Sequence, residues 1–137
     1  DSDIRMIDEM ELADEIYAKL IKNNEFLGLI GNPKTAADRN KRIRREICPV
    51  DYATVENVNF ICIYLTSATE TENIWVTRGF LNVDYYTKNR EDCRKMKRIV
   101  MDILNDMDMH CVSMYNEESD TKGIFKYTQK YRPLLWS

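Results

Sequence analysis

Apolar residues near the start of the chain recur at three- and four-residue steps. Ile7, Met10, Ala13, Ile16, Tyr17, Leu20 and Ile21 fall on one side of a helix of about four turns. Acids crowd its first half and Lys19 and Lys22 its end, the order that the helix dipole favours. Asn23-Asn24 breaks or bends the helix. Glu25 to Ile30 predicts one further turn, stopped by Gly31-Asn32-Pro33. Thr35 to Ile47 combines alanines with long charged residues, and only Ile43 and Ile47 mark an apolar side. It reads as a short helix or an exposed loop. Cys48-Pro49 ends it, because the residue before proline avoids the helical region.

The period then changes from helical to alternating. Val55 to Thr66 predicts a strand. Phe60, Ile61, Cys62 and Ile63 are apolar on both sides of it, so it is expected to be central and covered on both faces. The polar run Ser67 to Asn73 predicts a turn, and Ile74 to Tyr86 a second strand in an antiparallel hairpin with the first. Asn89 is placed to cap the clearest helix, with Glu91 and Asp92 in its first turn. Cys93, Met96, Ile99, Val100, Ile103, Leu104 and Met107 form its apolar stripe. Cys111 to Tyr115 predicts a short strand, Asn116 to Gly123 a turn, and Ile124 to Tyr131 a last strand before Pro133. The order is α-(α)-β-β-α-β-β. It predicts one α+β domain over residues 1–137, an antiparallel sheet of about four strands with helices packed on one face.

Composition supports a folded domain. Of 137 residues, 44% are hydrophobic and 31% charged, enough apolar surface for one core. With 4 Gly and 3 Pro the chain is neither collagen-like nor of low complexity. No apolar run approaches the roughly 20 residues of a membrane span, so no membrane partner is expected. The acidic opening Asp1 to Glu15 is not a secretory signal, so Cys48, Cys62, Cys93 and Cys111 are expected to be reduced thiols acting as small buried apolar groups.

Charge is more informative in its distribution than in its sum. The net charge is −3 and the isoelectric point about 5.3, which gives a generic nucleic-acid binder no support. Asp1, Asp3, Asp8, Glu9, Glu11, Asp14 and Glu15 stand against Arg5 alone. Lys34, Arg39, Lys41, Arg42, Arg44 and Arg45 stand against Asp38 alone. Segments of opposite sign attract, within a subunit or between neighbours. The candidate interface residues are therefore Asp8, Glu11, Glu15, Arg39, Arg42 and Arg45, joined by the apolar tail Leu134, Leu135 and Trp136. The tail needs a groove in this chain or in another. The basic segment has three readings: contact with a phosphate backbone, contact with an acidic partner surface, or a solvated loop. No aromatic residue is interleaved with it to stack on bases.

Little in the chain points to catalysis. Phosphate-binding glycine loops and the His-Glu-x-x-His pattern are absent. A lone histidine makes a hydrolase triad hard to assemble. His110 and Cys111 with two distant cysteines lack the spacing of a zinc finger. Asp102 and Asp106 share one side of the long helix and read as a solvated face. No catalytic, cofactor-binding or metal-binding residue is assigned, and the chain is read as non-enzymatic.

Taken together, these pieces resemble the small tail-terminator, or tail-completion, proteins of long-tailed bacteriophages. The likeness rests on Ile16-Tyr17-Ala18-Lys19-Leu20 running into Phe26-Leu27-Gly28-Leu29-Ile30-Gly31, and on the strand Phe60-Ile61-Cys62-Ile63-Tyr64. It continues in Gly79-Phe80-Leu81-Asn82-Val83-Asp84-Tyr85-Tyr86, which leads into the helix carrying Arg98-Ile99-Val100-Met101-Asp102-Ile103-Leu104. The resemblance implies a virion protein assembled in the bacterial cytoplasm. It implies a ring, commonly sixfold, at the head-proximal end of a tail tube, where it ends tube growth and meets the head connector. DNA passes through the lumen of such a ring without sequence specificity, and Lys34, Lys41 and Arg44 are candidates to face it. A head-completion or stopper protein of the same particle, and a small nucleic-acid-binding protein using residues 34–45, are the alternatives.

Overall fold

The computed structural model describes residues 9–67, 79–117 and 122–132. Helix α1 spans Glu9–Leu20, α2 Asn24–Leu29 and α3 Ala36–Arg42. A two-residue strand β1, Ile43–Arg44, follows directly. Strand β2 is Phe60–Ser67, β3 Gly79–Thr87, helix α4 Arg90–Asp106, β4 His110–Glu117 and β5 Phe125–Arg132. The strands form one sheet in the order β1-β2-β3-β5-β4. β1 runs parallel to β2, and every other pairing is antiparallel.

The expected layer structure is present in outline and differs in three places. The sheet is mixed and five-stranded rather than antiparallel and about four-stranded. The extra strand is the end of the ambiguous basic segment. Ile43 pairs with Ile61 and is fully buried; a two-residue strand has no alternation to announce it, and only its neighbour defines it. Secondly, the central strand starts at Phe60 and not at Val55. The amides of Asn57 and Val58 both bond to the Thr54 carbonyl and close a turn. Thirdly, β4 runs over His110–Glu117 rather than Cys111 to Tyr115, so it takes in the first two residues of the expected turn. α3 is a helix, one of the two readings of its segment, capped by the Thr35 hydroxyl, which accepts from the Asp38 amide at 3.1 Å. Residues 74–78 of the expected second strand, the turn over 68–73 and the tail Leu134-Leu135-Trp136 lie outside the described residues.

Local chemistry accounts for the helix ends. Asn23 caps α2 through its Oδ1, which accepts from the Phe26 amide at 2.9 Å. Gly31 and Asn32 stop the helix with φ of 94° and 53°, a left-handed turn that brings the Asn32 amide back to the Leu27 carbonyl. Asn89 caps α4 as expected, its Oδ1 accepting from the Asp92 amide at 2.8 Å.

The core divides at the sheet. On one face, Leu12, Ile16 and Leu20 of α1, Phe26 of α2 and Met96, Val100 and Leu104 of α4 cover Ile61, Ile63, Leu81, Val83 and Tyr85. Gln129 is buried on this same face and accepts hydrogen bonds from the Tyr85 and Tyr131 hydroxyls at 2.6 and 3.0 Å. On the other face there is no helix among the described residues. Phe60, Cys62 and Tyr86 are covered there by Cys48, Tyr52 and Ala53, from the segment between β1 and β2. Phe60 stacks on Tyr86 with ring centroids 4.7 Å apart.

One polar side chain joins the layers. Asn59 sits between the covering segment and β2 and is buried. Its Nδ2 donates to the Leu29 carbonyl at 2.8 Å and to Asp92 Oδ2 at 3.0 Å, and its Oδ1 accepts from the Lys88 amide at 2.8 Å. It thereby ties the end of α2, the exit of β3 and the start of α4. Replacing Asn59 with alanine removes a buried amide that bonds half-buried partners at the end of α2 and the start of α4 and the amide of Lys88 between β3 and α4. Denaturant unfolding is expected to show a loss of about 2–4 kcal/mol, against near-neutral alanine substitution at exposed Arg98.

Candidate interaction surfaces

The basic segment folds onto its own chain. Arg42 Nη1 donates to the carbonyls of Asn57 at 2.6 Å and Asn59 at 3.3 Å, stitching the end of α3 to the turn before β2. Arg44 lies over the Tyr52 ring at 4.4 Å and pairs with Glu46 at 2.6 Å. Arg45 pairs with Asp14 of α1, stacks over Tyr17 at 4.3 Å and donates to Asn40. Arg39 Nη1 reaches the Lys34 carbonyl at 3.3 Å. Lys34 and Lys41 stay exposed and border a cleft of about 410 Å³ with Asp38, Arg42 and Asn57.

Among the described residues, the opposite charge blocks meet inside the subunit in the ion pair of Arg45 with Asp14. Of the acidic candidates, Glu15 is exposed on α1. Asp8 lies outside the described residues, and Glu11 is described only as part of α1. The four arginines of the segment hold groups of their own chain, and Lys34 and Lys41 are exposed.

Large apolar side chains are exposed at two places. Ile47 and Val50, in the segment leaving β1, are 64% and 90% exposed. Val112 and Met114 of β4 are 49% and 46% exposed. β4 is an edge of the sheet, whereas Ile47 and Val50 belong to the segment that covers one of its faces. β4 has no neighbour beyond β5 among the described residues, and a register shift between Cys111 and Ser113 interrupts its pairing. Ile43 and Ile47 mark an apolar side in the sequence, but only Ile43 is buried. No protein-family model matches the chain, and no curated protein sequence is similar to it.

The cysteines are free thiols, Cys62 and Cys93 buried and Cys48 and Cys111 partly so. Among the described residues no group of three or more His, Cys, Asp or Glu side chains is placed to hold a metal ion. His110 is exposed, and the Cys111 thiol donates to the Ser113 carbonyl at 3.3 Å. Cys48 lies against Cys62 and Tyr86. Burial raises the Cys62 thiol far above its ordinary value, with the nearby Cys48 adding to the effect. The Tyr86 hydroxyl is raised for the same two reasons. Asp102 and Asp106 are exposed on α4.

Two outcomes follow from this geometry. Arg42→Ala should cost about 1.5–3 kcal/mol, because it removes charged donors from two carbonyls. Arg45→Ala should cost under about 1 kcal/mol, since its partner is largely exposed; thermal or denaturant unfolding separates the two. Burial also pushes the Cys93 thiol from 9.0 up to about 12. A thiol kept neutral when folded but free to ionise when unfolded stabilises fully below its unfolded value, and that contribution is lost as pH rises toward the folded one. Stability measured by denaturant should fall between pH 9.0 and about 12, and Cys93→Ala should make that fall shallower.

Proposed function

We propose that this chain is a structural subunit of a long-tailed phage particle, a tail-terminator-like ring protein that closes the head-proximal end of the tail tube. The observation that carries the reading is the presence of exposed apolar side chains at two separate places, the segment that covers one face of the sheet and the edge strand β4. A ring grows by head-to-tail contact, in which one patch of a subunit meets a different patch of the next. Ile47 and Val50 of the covering segment and Val112 and Met114 of β4 supply two such patches. The chain is an α+β domain in the order α-α-α-β-β-β-α-β-β, which adds a third helix and the short β1 to the order read from periodicity.

In this reading the protein works through shape and self-matching surfaces. The tail tube meets one rim of the ring and the head connector the other, while DNA passes through the lumen. The arginines of the basic segment hold the β1-to-β2 segment in place, and with it the patch at Ile47 and Val50. Exposed Lys34 and Lys41 are the bases of this segment available to a polyanion in the lumen.

Introducing charge into one patch tests the proposal. Val112→Glu with Met114→Glu should abolish rings seen by negative-stain microscopy and light scattering, with or without purified tail tubes. Both side chains are about half exposed, so stability should change by less than about 1 kcal/mol. Assemblies unaffected by the double substitution, or a wild-type chain that stays monomeric even on tail tubes, would overturn the reading.

A further inference from the structure

The solvent side of α4 carries an arrangement of charge that its own chain does not explain. Arg94, Lys95, Arg98, Asp102, Asn105 and Asp106 are all exposed and recur at three- and four-residue steps along one side of the helix. The bases occupy the first half and the acids the second. A helix dipole favours the reverse, with acids early and bases late, and only Glu91 and Asp92 in the first turn obey it. Arg98 and Asp102 stand at the i,i+4 spacing in the less favourable orientation. Among the described residues, the ion pair that α4 makes is Arg94 with Glu91 at 2.9 Å. That bond holds the Glu91 carboxyl below its ordinary range.

The same arrangement is self-complementary under a two-fold axis. When two copies of α4 pack antiparallel with the axis between Arg98 and Asp102, Arg98 faces the partner's Asp102 and Arg94 the partner's Asp106. Lys95 faces the partner's Asn105. Each match occurs twice by symmetry, and no like charges among these positions are opposed. A cleft of about 520 Å³ runs beside this face, with Ile99 and Ile103 among its lining residues and Asn23 and Glu25 bordering it from α2. This gives the contact some apolar surface beneath the charges.

We infer that the exposed side of α4 is a self-association surface, and that its occupant is α4 of a second copy, packed antiparallel through reciprocal Arg–Asp pairs. The inference does not rest on the ring reading. It concerns a two-fold contact made by a helix, whereas the ring contact is head-to-tail and made by edge strand β4 and the segment after β1. A helix of 17 residues is about 25 Å long. Two such helices bury less than roughly 1,200 Å², the size of weak and transient contacts. The pairing is accordingly expected at high protein concentration and low salt.

A charge-swap experiment tests it, read by sedimentation velocity over a range of protein and salt concentrations. The Val112→Glu, Met114→Glu background removes the sheet-edge contact, so the two contacts are read separately. In that background the chain should dimerise and the dimer should weaken with added salt. Arg94→Glu with Arg98→Glu makes the face wholly acidic apart from Lys95 and should weaken dimerisation at least about tenfold. Asp102→Lys with Asp106→Lys makes it wholly basic and should do the same. An equimolar mixture of the two variants restores opposite charge at every matched position and should recover the dimer. All four residues are exposed, and circular dichroism checks that each variant is folded. The inference is overturned if the background chain is monomeric at low salt, if the swaps leave the dimer unchanged, or if the mixture fails to associate.

Discussion

Strand β2 is the constraint around which the molecule is arranged. Phe60, Ile61, Cys62 and Ile63 are consecutive and all fully buried. A strand apolar on both sides cannot keep either face in water, so two layers must close over it. Helices α1, α2 and α4 supply one. The other is an irregular segment of modest size between β1 and β2, carrying Cys48, Tyr52 and Ala53. An irregular cover has few backbone hydrogen bonds of its own and must be held by side chains.

That requirement gives the basic segment a different meaning from the one charge alone suggests. Arg42 holds the Asn57 and Asn59 carbonyls. The Tyr52 hydroxyl donates to the Lys41 carbonyl at 2.7 Å, and Arg44 lies on the Tyr52 ring. Arg45 draws the same stretch toward α1 through Asp14 and Tyr17. A run of arginines that resembles a polyanion site is thus largely a set of fastenings for the cover of β2. Asn59 completes the arrangement at the point where the cover becomes strand, by bonding to α2, β3 and α4 together.

The surfaces left over are those proposed for assembly. Holding the cover against β2 leaves Ile47 and Val50 turned to solvent over one face of the sheet, and β4 presents Val112 and Met114 at its edge. On the helical layer, α4 buries Cys93, Met96, Ile99, Val100 and Leu104 and keeps a polar side of divided charge. The covering segment and the β4 edge suit contacts that propagate, and the α4 face suits a contact that closes on itself.

Elements with a strong period were legible in the amino-acid order alone. The α4 stripe and its Asn89 cap, the doubly covered strand, and the final pair of strands are each carried by local spacing of apolar residues or by a single capping side chain. What local spacing cannot hold is whatever exists only because a distant residue is present. Ile43 is a strand residue because Ile61 lies beside it, and Val55 belongs to a turn because the backbone closes on Thr54. β5 lies between β3 and β4 by pairing with both at once. The roles of Arg42 and Arg45 belong to the same class: a charge has no direction until the fold brings a carbonyl or a carboxylate within reach. Periodicity reports which side of an element faces a core, whereas partnership is a property of three-dimensional distance, and only the tertiary structure decided it.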